Sequence, residues 1–383
     1  MIYHISFPQK KFLSTAFNSI ESVSSGNNRF IFIDKQRADL TVEETGIEQR
    51  YIAYAGKLSD TVYELVNSDE CDGVIVYWIS PELISLVLNM DPSKTVLWRS
   101  YGSDINDIIY SSHNYFDVLT KRYVQGEGLV PTLKRLLRPL YNSITGKQKL
   151  LNKKYDFFRR IDYCCTTTEY EFNALAKLVP GFKAKYALFV LVSTDDVEFN
   201  LDAHPDKIML CHSGHPINNH LDLFHKLNEF KNHTAKYIVP LSYGNADYIT
   251  FLKKEGAHLL VNQFVPLTDY MALGEYKNVI KGCFAFILNS RIQQGAANVN
   301  QFLLLGAKVY LNEENPFFKE KIKQGITIFS IQNDLTEEHL FNHPLSDEEK
   351  KRNREIILSI TGKEVVSKQH QYICSLFKNK KAS

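Results

Sequence analysis

No Asp-x-Asp triplet occurs anywhere in the 383 residues. The common carboxylate grip on a metal–diphosphate pair is therefore missing, because hard divalent cations in such sites are held through carboxylate oxygens. Three histidines crowd one loop, His212, His215 and His220. No carboxylate is spaced with them, so no metal or other cofactor is expected. No apolar run approaches the ~20 residues of a spanning helix. The first residues, MIYHISFPQKK, lack the apolar core of a signal peptide. Six cysteines (Cys71, Cys164, Cys165, Cys211, Cys283, Cys374) show no metal-type spacing, and several sit inside apolar runs. They are expected to be reduced, buried thiols of a cytosolic protein. Net charge is only +2, which argues against a uniform nucleic-acid surface, so no nucleic-acid partner is expected.

The rest of the composition is that of a soluble globular chain, with 44% apolar and 23% charged residues. A chain of this length implies two domains. The first half alternates strand and helix signals. Strands are predicted at 2–7, 29–34, 73–79, 95–98, 162–167 and 186–192, with amphipathic helices at about 10–21, 59–67 and 81–89. The acidic, mostly polar stretch 194–206 reads as a linker. Six further strands follow, at 207–211, 237–241, 258–263, 283–288, 308–311 and 326–331. Helices are predicted at 219–232, after Asn245, at 269–277 with Thr268 as its cap, and from Gly295 to about Leu305, where Gly306 ends it. Alternation of this kind implies two doubly wound, mostly parallel sheets. Predicted bounds are 1–193 and 194–345. Two tail helices from 346 to 383, each opened by a capping-box pattern at Ser346 and Thr361, then cross back to the first domain.

Open parallel sheets bind ligands outside the carboxyl ends of their strands. After Trp98 the loop reads Arg99-Ser100-Tyr101-Gly102-Ser103-Asp104. Asp104 is either a general base or sugar-hydroxyl acceptor, or the N-cap of a short helix at 105–110. In the second half, four loops share one edge: His212-Ser213-Gly214, Ser242-Tyr243-Gly244, Phe264-Val265-Pro266 and Arg291 to Gly295. The last joins a strand to a helix entry of small residues. A helix N-terminus points N–H groups outward and favours anions, and Arg291 adds a charge shaped for phosphate. Gln293, Gln294 and Asn298 supply neutral hydrogen-bond groups for a sugar. An ordinary polar crossover loop is the alternative.

Residues 121–160 contain eleven Lys or Arg against two acids, or 11 − 2 = +9. Leucines recur at helical spacing between Lys134, Arg135 and Arg138. Such a basic amphipathic helix suits an anionic membrane surface; a core-packed helix with a solvated basic face is the alternative.

The chain resembles the dTDP-N-acetylfucosamine:lipid-II N-acetylfucosaminyltransferase family, which are GT-B glycosyltransferases of two Rossmann-like domains facing a central cleft. The resemblance rests on CHSGHPINNHLD (211–222), IVPLSYGNADYI (238–249), FVPLTDYMAL (264–273), RIQQGAANVNQFLLLGAKVYL (291–311) and NPFFKEKIKQGITIFSI (315–331). It is strongest over 207–331 and looser before that. It implies transfer of a deoxy amino sugar from a dTDP or UDP donor to a lipid-linked saccharide, on the inner face of the cytoplasmic membrane. Carried onto this chain, it implies that Ser213, Asn218, Asn219, His220, Tyr243, Gly244, Phe264, Tyr270, Arg291, Gln293, Gln294, Gly295 and Asn298 line the donor site. Asp104 would be the base facing the acceptor hydroxyl, and Lys134, Arg135 and Arg138 would face the membrane. Two other classes stay open: a nucleotide-sugar epimerase of the same architecture, and a non-catalytic peripheral membrane assembly protein.

Overall fold

The computed structural model describes residues 1–7, 10–34, 47–110, 115–126, 147–191, 193–194 and 206–377. The chain divides into two compact units. One comprises Met1–Ile109, Leu137–Asp195 and Ile360–Ser383; the other comprises Tyr110–Leu136 and Asp196–Ser359. Lys134, Arg135 and Arg138 lie outside the described residues.

Among the described residues, the first unit is built on seven parallel strands. In chain order they are β1 (Ile2–Ser6), β2 (Asn28–Ile33), β3 (Ile52–Gly56), β4 (Gly73–Tyr77), β5 (Thr95–Arg99), β6 (Tyr163–Cys165) and β7 (Lys185–Tyr186). Their order in the sheet is β3-β2-β1-β4-β5-β6-β7. β1 and β4 are buried along their whole length, as expected where helices cover both faces of a sheet. The connecting helices begin where the sequence supplies caps. Ser80 Oγ accepts from Leu83 N–H (3.2 Å) ahead of Pro81. β3 was not anticipated: all its apolar residues are only half-buried, which leaves a weak strand signal. The strand predicted at 186–192 shrinks to two residues at a sheet edge.

The second unit repeats the plan with six parallel strands: β8 (Lys207–Leu210), β9 (Lys236–Pro240), β10 (Phe264–Leu267), β11 (Ala285–Leu288), β12 (Lys308–Leu311) and β13 (Phe329–Ser330). Their order is β10-β9-β8-β11-β12-β13, so the winding reverses between β8 and β11. The helix Ala296–Leu304 ends in a Schellman motif. Ala307 N–H reaches Phe302 O (3.0 Å), and Gly306 N–H reaches Leu303 O (3.2 Å) with φ +75°.

Several expected boundaries move. The run at 258–263 is not a strand. It finishes the helix Ala246–Leu259 and forms a 3-10 turn, and the strand starts at Phe264. Of its apolar residues, Leu259 ends that helix, Leu260 is buried at the C-cap, and Val261 lies exposed in the 3-10 turn. The next helix starts at Leu273 rather than at 269, with Glu275 reaching back to Ala272 N–H (3.1 Å), so Thr268 does not cap it. The box at Ser346 forms, with Glu349 N–H on Ser346 Oγ (3.2 Å) and Ser346 N–H on the Glu349 carboxylate (2.9 Å). The second box does not form. Gly362 caps the final helix, and the Thr361 hydroxyl pairs with that of Thr194 (2.6 Å). Of the two tail helices, Asp347–Thr361 lies almost wholly in the second unit and Lys363–Leu376 in the first. His370 fixes the last helix there, between Ser19 Oγ (3.0 Å) and Val190 O (2.7 Å).

Candidate functional site

The reversal between β8 and β11 opens the sheet's carboxyl edge, the usual ligand position in such folds. The loop after β11 enters its helix through Gly295, at φ +66° and ψ +26°. A side chain there would be strained, and its Cβ would come within 3.4 Å of His212 Nδ1 and Leu288 Cδ2. The turn sets the helix start, with its free N–H groups, beside His212 of the loop after β8.

That loop is tightly built. Asn218 Nδ2 donates to Ser213 O (2.9 Å) and Ser213 Oγ (3.0 Å), leaving Asn218 Oδ1 buried without a partner among the described residues. His212 Nδ1 is also buried and unpartnered. Burial pushes the His212 pKa down to about 4, against the opposing pull of the Gln294 and Asn218 side chains, so the ring is neutral at pH 7. The next loop closes on this one through two glycines. Gly214 N–H donates to Tyr243 O (2.8 Å), and a Cβ on Gly244 would lie 2.4 Å from the Gly214 carbonyl. Tyr243, beside Ser213, is 60% exposed, and Tyr270, in the segment after β10, is 85% exposed. The switch-point crevice thus gathers Ser213, Asn218, Tyr243, Gly244, Gln294 and Gly295, together with His212, which sequence reasoning placed on this edge but weighed only as a metal ligand. Gln293 sits in the same turn but is buried.

Four predicted donor residues are placed differently. His220 is fully buried between Phe224 and Tyr248, with both ring nitrogens unpartnered and its pKa pushed down by burial to about 3. It is a core residue because the helix it opens turns inward. Phe264 is the first residue of β10, at the strand's amino end, and its ring packs on Gly256 and Phe224. Asn298 donates to Tyr276 OH (3.0 Å) on the neighbouring helix. Asn219, in the left-handed conformation, works as a clamp. Its Nδ2 donates to Tyr115 O (3.2 Å) and Asn289 O (2.9 Å), and its Oδ1 accepts from Asp117 N–H (2.9 Å).

Arg291 does not stand free for a ligand. Its Nη1 donates to Asp117 Oδ1 (3.0 Å), while Asn289 Nδ2 donates to Asp117 Oδ2 (2.8 Å). The pairing also explains why Asp117 does not cap the helix Val118–Gln125 that follows it. Asp222 caps that helix instead, accepting Leu119 and Thr120 N–H on its two oxygens (2.7 and 2.9 Å). An asparagine chain continues along the edge, with Asn312 Nδ2 on Asn289 Oδ1 (2.8 Å) and Asn315 Nδ2 on Ser290 O (2.8 Å). Between these elements lies a pocket of about 430 Å³, whose walls include Asp117, Lys121, Lys226 and Arg291.

In the first unit, Asp104 lies just past the carboxyl end of β5. Ser100 Oγ donates to its Oδ1 (2.7 Å), while Oδ2 is buried without a partner. The side chain therefore holds the loop rather than capping the short helix Asn106–Ile109. Burial raises the Asp104 pKa, against the bond from Ser100. Glu171, unremarked in the sequence, completes the local electrostatics. It closes a capping box with Thr168, leaves Oε1 buried and unpartnered, and has its pKa pushed up to about 7 by burial, with a smaller push from Asp104.

Among the described residues, no group of three or more His, Cys, Asp or Glu could hold a metal ion, and no helix is long and apolar enough to cross a membrane.

Comparison with known proteins adds to this geometry. The family model described as 4-alpha-L-fucosyltransferase glycosyl transferase group 56 matches residues 191–346. HepE of Anabaena, solved with UDP and glucose, is similar over 98% of this chain and 100% of its own, at 11% identity and a TM-score of 0.62. A glycosyltransferase of Rickettsia africae matches over 99% and 98%, at 10% identity and a TM-score of 0.62. A UDP-forming α,α-trehalose-phosphate synthase of Burkholderia xenovorans matches over 100% and 99%, at 8% identity and a TM-score of 0.63. The two Rossmann-like units have the GT-B fold of these solved structures, and the group 56 match spans residues 191–346, which hold the second sheet.

Proposed function

We propose that the protein is a glycosyltransferase that moves a deoxy amino sugar of the N-acetylfucosamine type from a dTDP or UDP donor to a lipid-linked saccharide acceptor. No metal takes part. The observation that carries the donor half is the left-handed turn at Gly295, beside His212 at the switch point. Departure of a nucleoside diphosphate puts negative charge on its terminal phosphate. The helix start answers that charge with fixed N–H dipoles, and a neutral imidazole and the Gln294 amide add hydrogen bonds. Tyr243 and Tyr270 offer exposed rings to the base. Asp104 takes the proton of the acceptor hydroxyl on its unpartnered oxygen as that hydroxyl attacks the anomeric carbon. The group 56 description supports a fucose-like sugar, and the UDP in HepE supports a nucleotide donor. The basic stretch 121–160, with Lys134, Arg135 and Arg138, holds the protein on an anionic membrane surface where a lipid-linked acceptor is presented.

Gly295→Val tests the donor site. Calorimetry with dTDP and UDP should show binding by the wild type, unchanged by EDTA, and a loss of at least tenfold in the variant. Wild-type binding that requires added magnesium, or a folded variant that binds normally, sinks this assignment.

A further inference from the structure

The pocket beside Arg291 has an unusual charge account. Three cations, Lys121, Lys226 and Arg291, share it with two carboxylates, Asp117 and Asp222. Opposite charges in one pocket would ordinarily pair. Here neither acid pairs with a lysine: Asp222 holds two backbone N–H groups, and Asp117 is taken up by Arg291 and Asn289. Lys121 and Lys226 make no ion pair or side-chain hydrogen bond among the described residues, although both line a concave space of about 430 Å³. Two ammonium groups with six unmet donors call for an anion with several acceptor oxygens. Apolar surface from Phe116, Leu223 and Ile331 flanks the same space.

We propose that this pocket is a phosphoryl-binding subsite, separate from the switch-point crevice, in which Lys121 and Lys226 hold a diphosphate or similar polyanion other than the donor's. It goes beyond the donor-site assignment and does not depend on it. The chemistry fits a free anion or a diphosphate ester carrying an apolar chain. In the second case the chain would lie against the apolar wall.

The test is calorimetric titration of the full chain with inorganic pyrophosphate, alone and saturated with UDP. Pyrophosphate should bind in both conditions. Lys121→Ala/Lys226→Ala should weaken it at least tenfold while leaving UDP affinity within twofold. Lys121→Arg/Lys226→Arg should retain it. Competition by UDP that abolishes pyrophosphate binding, absence of pyrophosphate binding, or a double-alanine variant that binds normally would each overturn the proposal. If UDP itself fails to bind while lysine-dependent pyrophosphate binding persists, the donor site falls and this subsite stands. Geranyl diphosphate separates the two sources. Binding at least tenfold tighter than pyrophosphate marks a chain-bearing diphosphate, and equal affinity marks a free anion; either result upholds the subsite.

Discussion

The two units share a winding pattern and differ in what they bury at the carboxyl edge. In the first, the groups just past β5 and β6 are acids. Asp104 and Glu171 each have one satisfied and one orphan oxygen, and both are pushed toward the protonated form by burial. In the second, the corresponding groups are histidines and amides. His212, His220 and Asn218 have orphan atoms, and both rings are held neutral. Buried carboxyls with raised pKa suit proton transfer, whereas neutral donors beside a helix start suit an anion that must enter and leave. Under the proposed function, the first unit carries the proton chemistry and the second the charge stabilisation. Orphan polar atoms cost stability, of order 1–3 kcal/mol each, and are where function shows against structure.

The largest expected effect breaks the comparison at Asp104. Asp104→Asn keeps an oxygen for Ser100 and removes the proton acceptor. Turnover should fall by about 100- to 10,000-fold, the range of a lost general base, with nucleotide affinity unchanged. The opposite split, weak binding with normal turnover, would move the charge-stabilising role to the first unit and dissolve the contrast.

Next comes Glu171, which sharpens it. Its folded pKa of about 7 stands above the ordinary 4.5 of a glutamate. Its contribution is complete below pH 4.5 and is lost as pH rises through 7, at about 1.4 kcal/mol per pH unit. A shift of that size corresponds to an effect of up to about 3 kcal/mol. Glu171→Gln can still reach back to Thr168 N–H, so it should remove this decline without removing the cap. Both tryptophans, Trp78 and Trp98, lie in the first unit, so urea melts followed by tryptophan fluorescence report on it alone. Equal slopes for variant and wild type between pH 4.5 and 7 would show that the Glu171 carboxyl is not strained by burial.

Much of this was legible in the sequence, for physical reasons that can be named. β4 and β11 announce themselves as continuous apolar runs because both their faces are covered. The Gly295 turn and the Gly306 cap are visible because only glycine adopts those dihedrals cheaply. The Asp117–Arg291 pair was not legible: its members lie 174 residues apart, and no local pattern links them. The clamp role of Asn219 depends on the same segment and was hidden with it. Phe264 was misplaced because a strand boundary moved, and the boundary moved because Leu259, Leu260 and Val261 look alike in a helix end and a strand. Glu171 passed unnoticed because no helix was predicted over Glu169–Leu178, and its capping box with Thr168 went unread with it.

The smallest effect concerns His220, and it probes the second unit as Glu171 probes the first. Both ring nitrogens are buried without partners, so the imidazole contributes shape while carrying an unmet desolvation cost. His220→Leu keeps an apolar filler between Phe224 and Tyr248 and should be neutral or stabilising, by up to about 1–2 kcal/mol at pH 7.5. The pH dependence carries the sign. A folded pKa of about 3, below the ordinary 6.5, gives stability that is present above pH 6.5 and lost as pH falls toward 3. His212, at about 4, adds a parallel loss. Replacing His220 should therefore reduce the acid-side slope by about 1.4 kcal/mol per pH unit and leave the His212 share in place. Hydrogen exchange of the helix His220–Asn228, measured between pH 4.5 and 7.5, isolates this unit from the tryptophan-bearing one. If the variant instead loses nucleotide affinity with its exchange protection intact, His220 reaches the ligand, and the second edge is more open than its burial indicates.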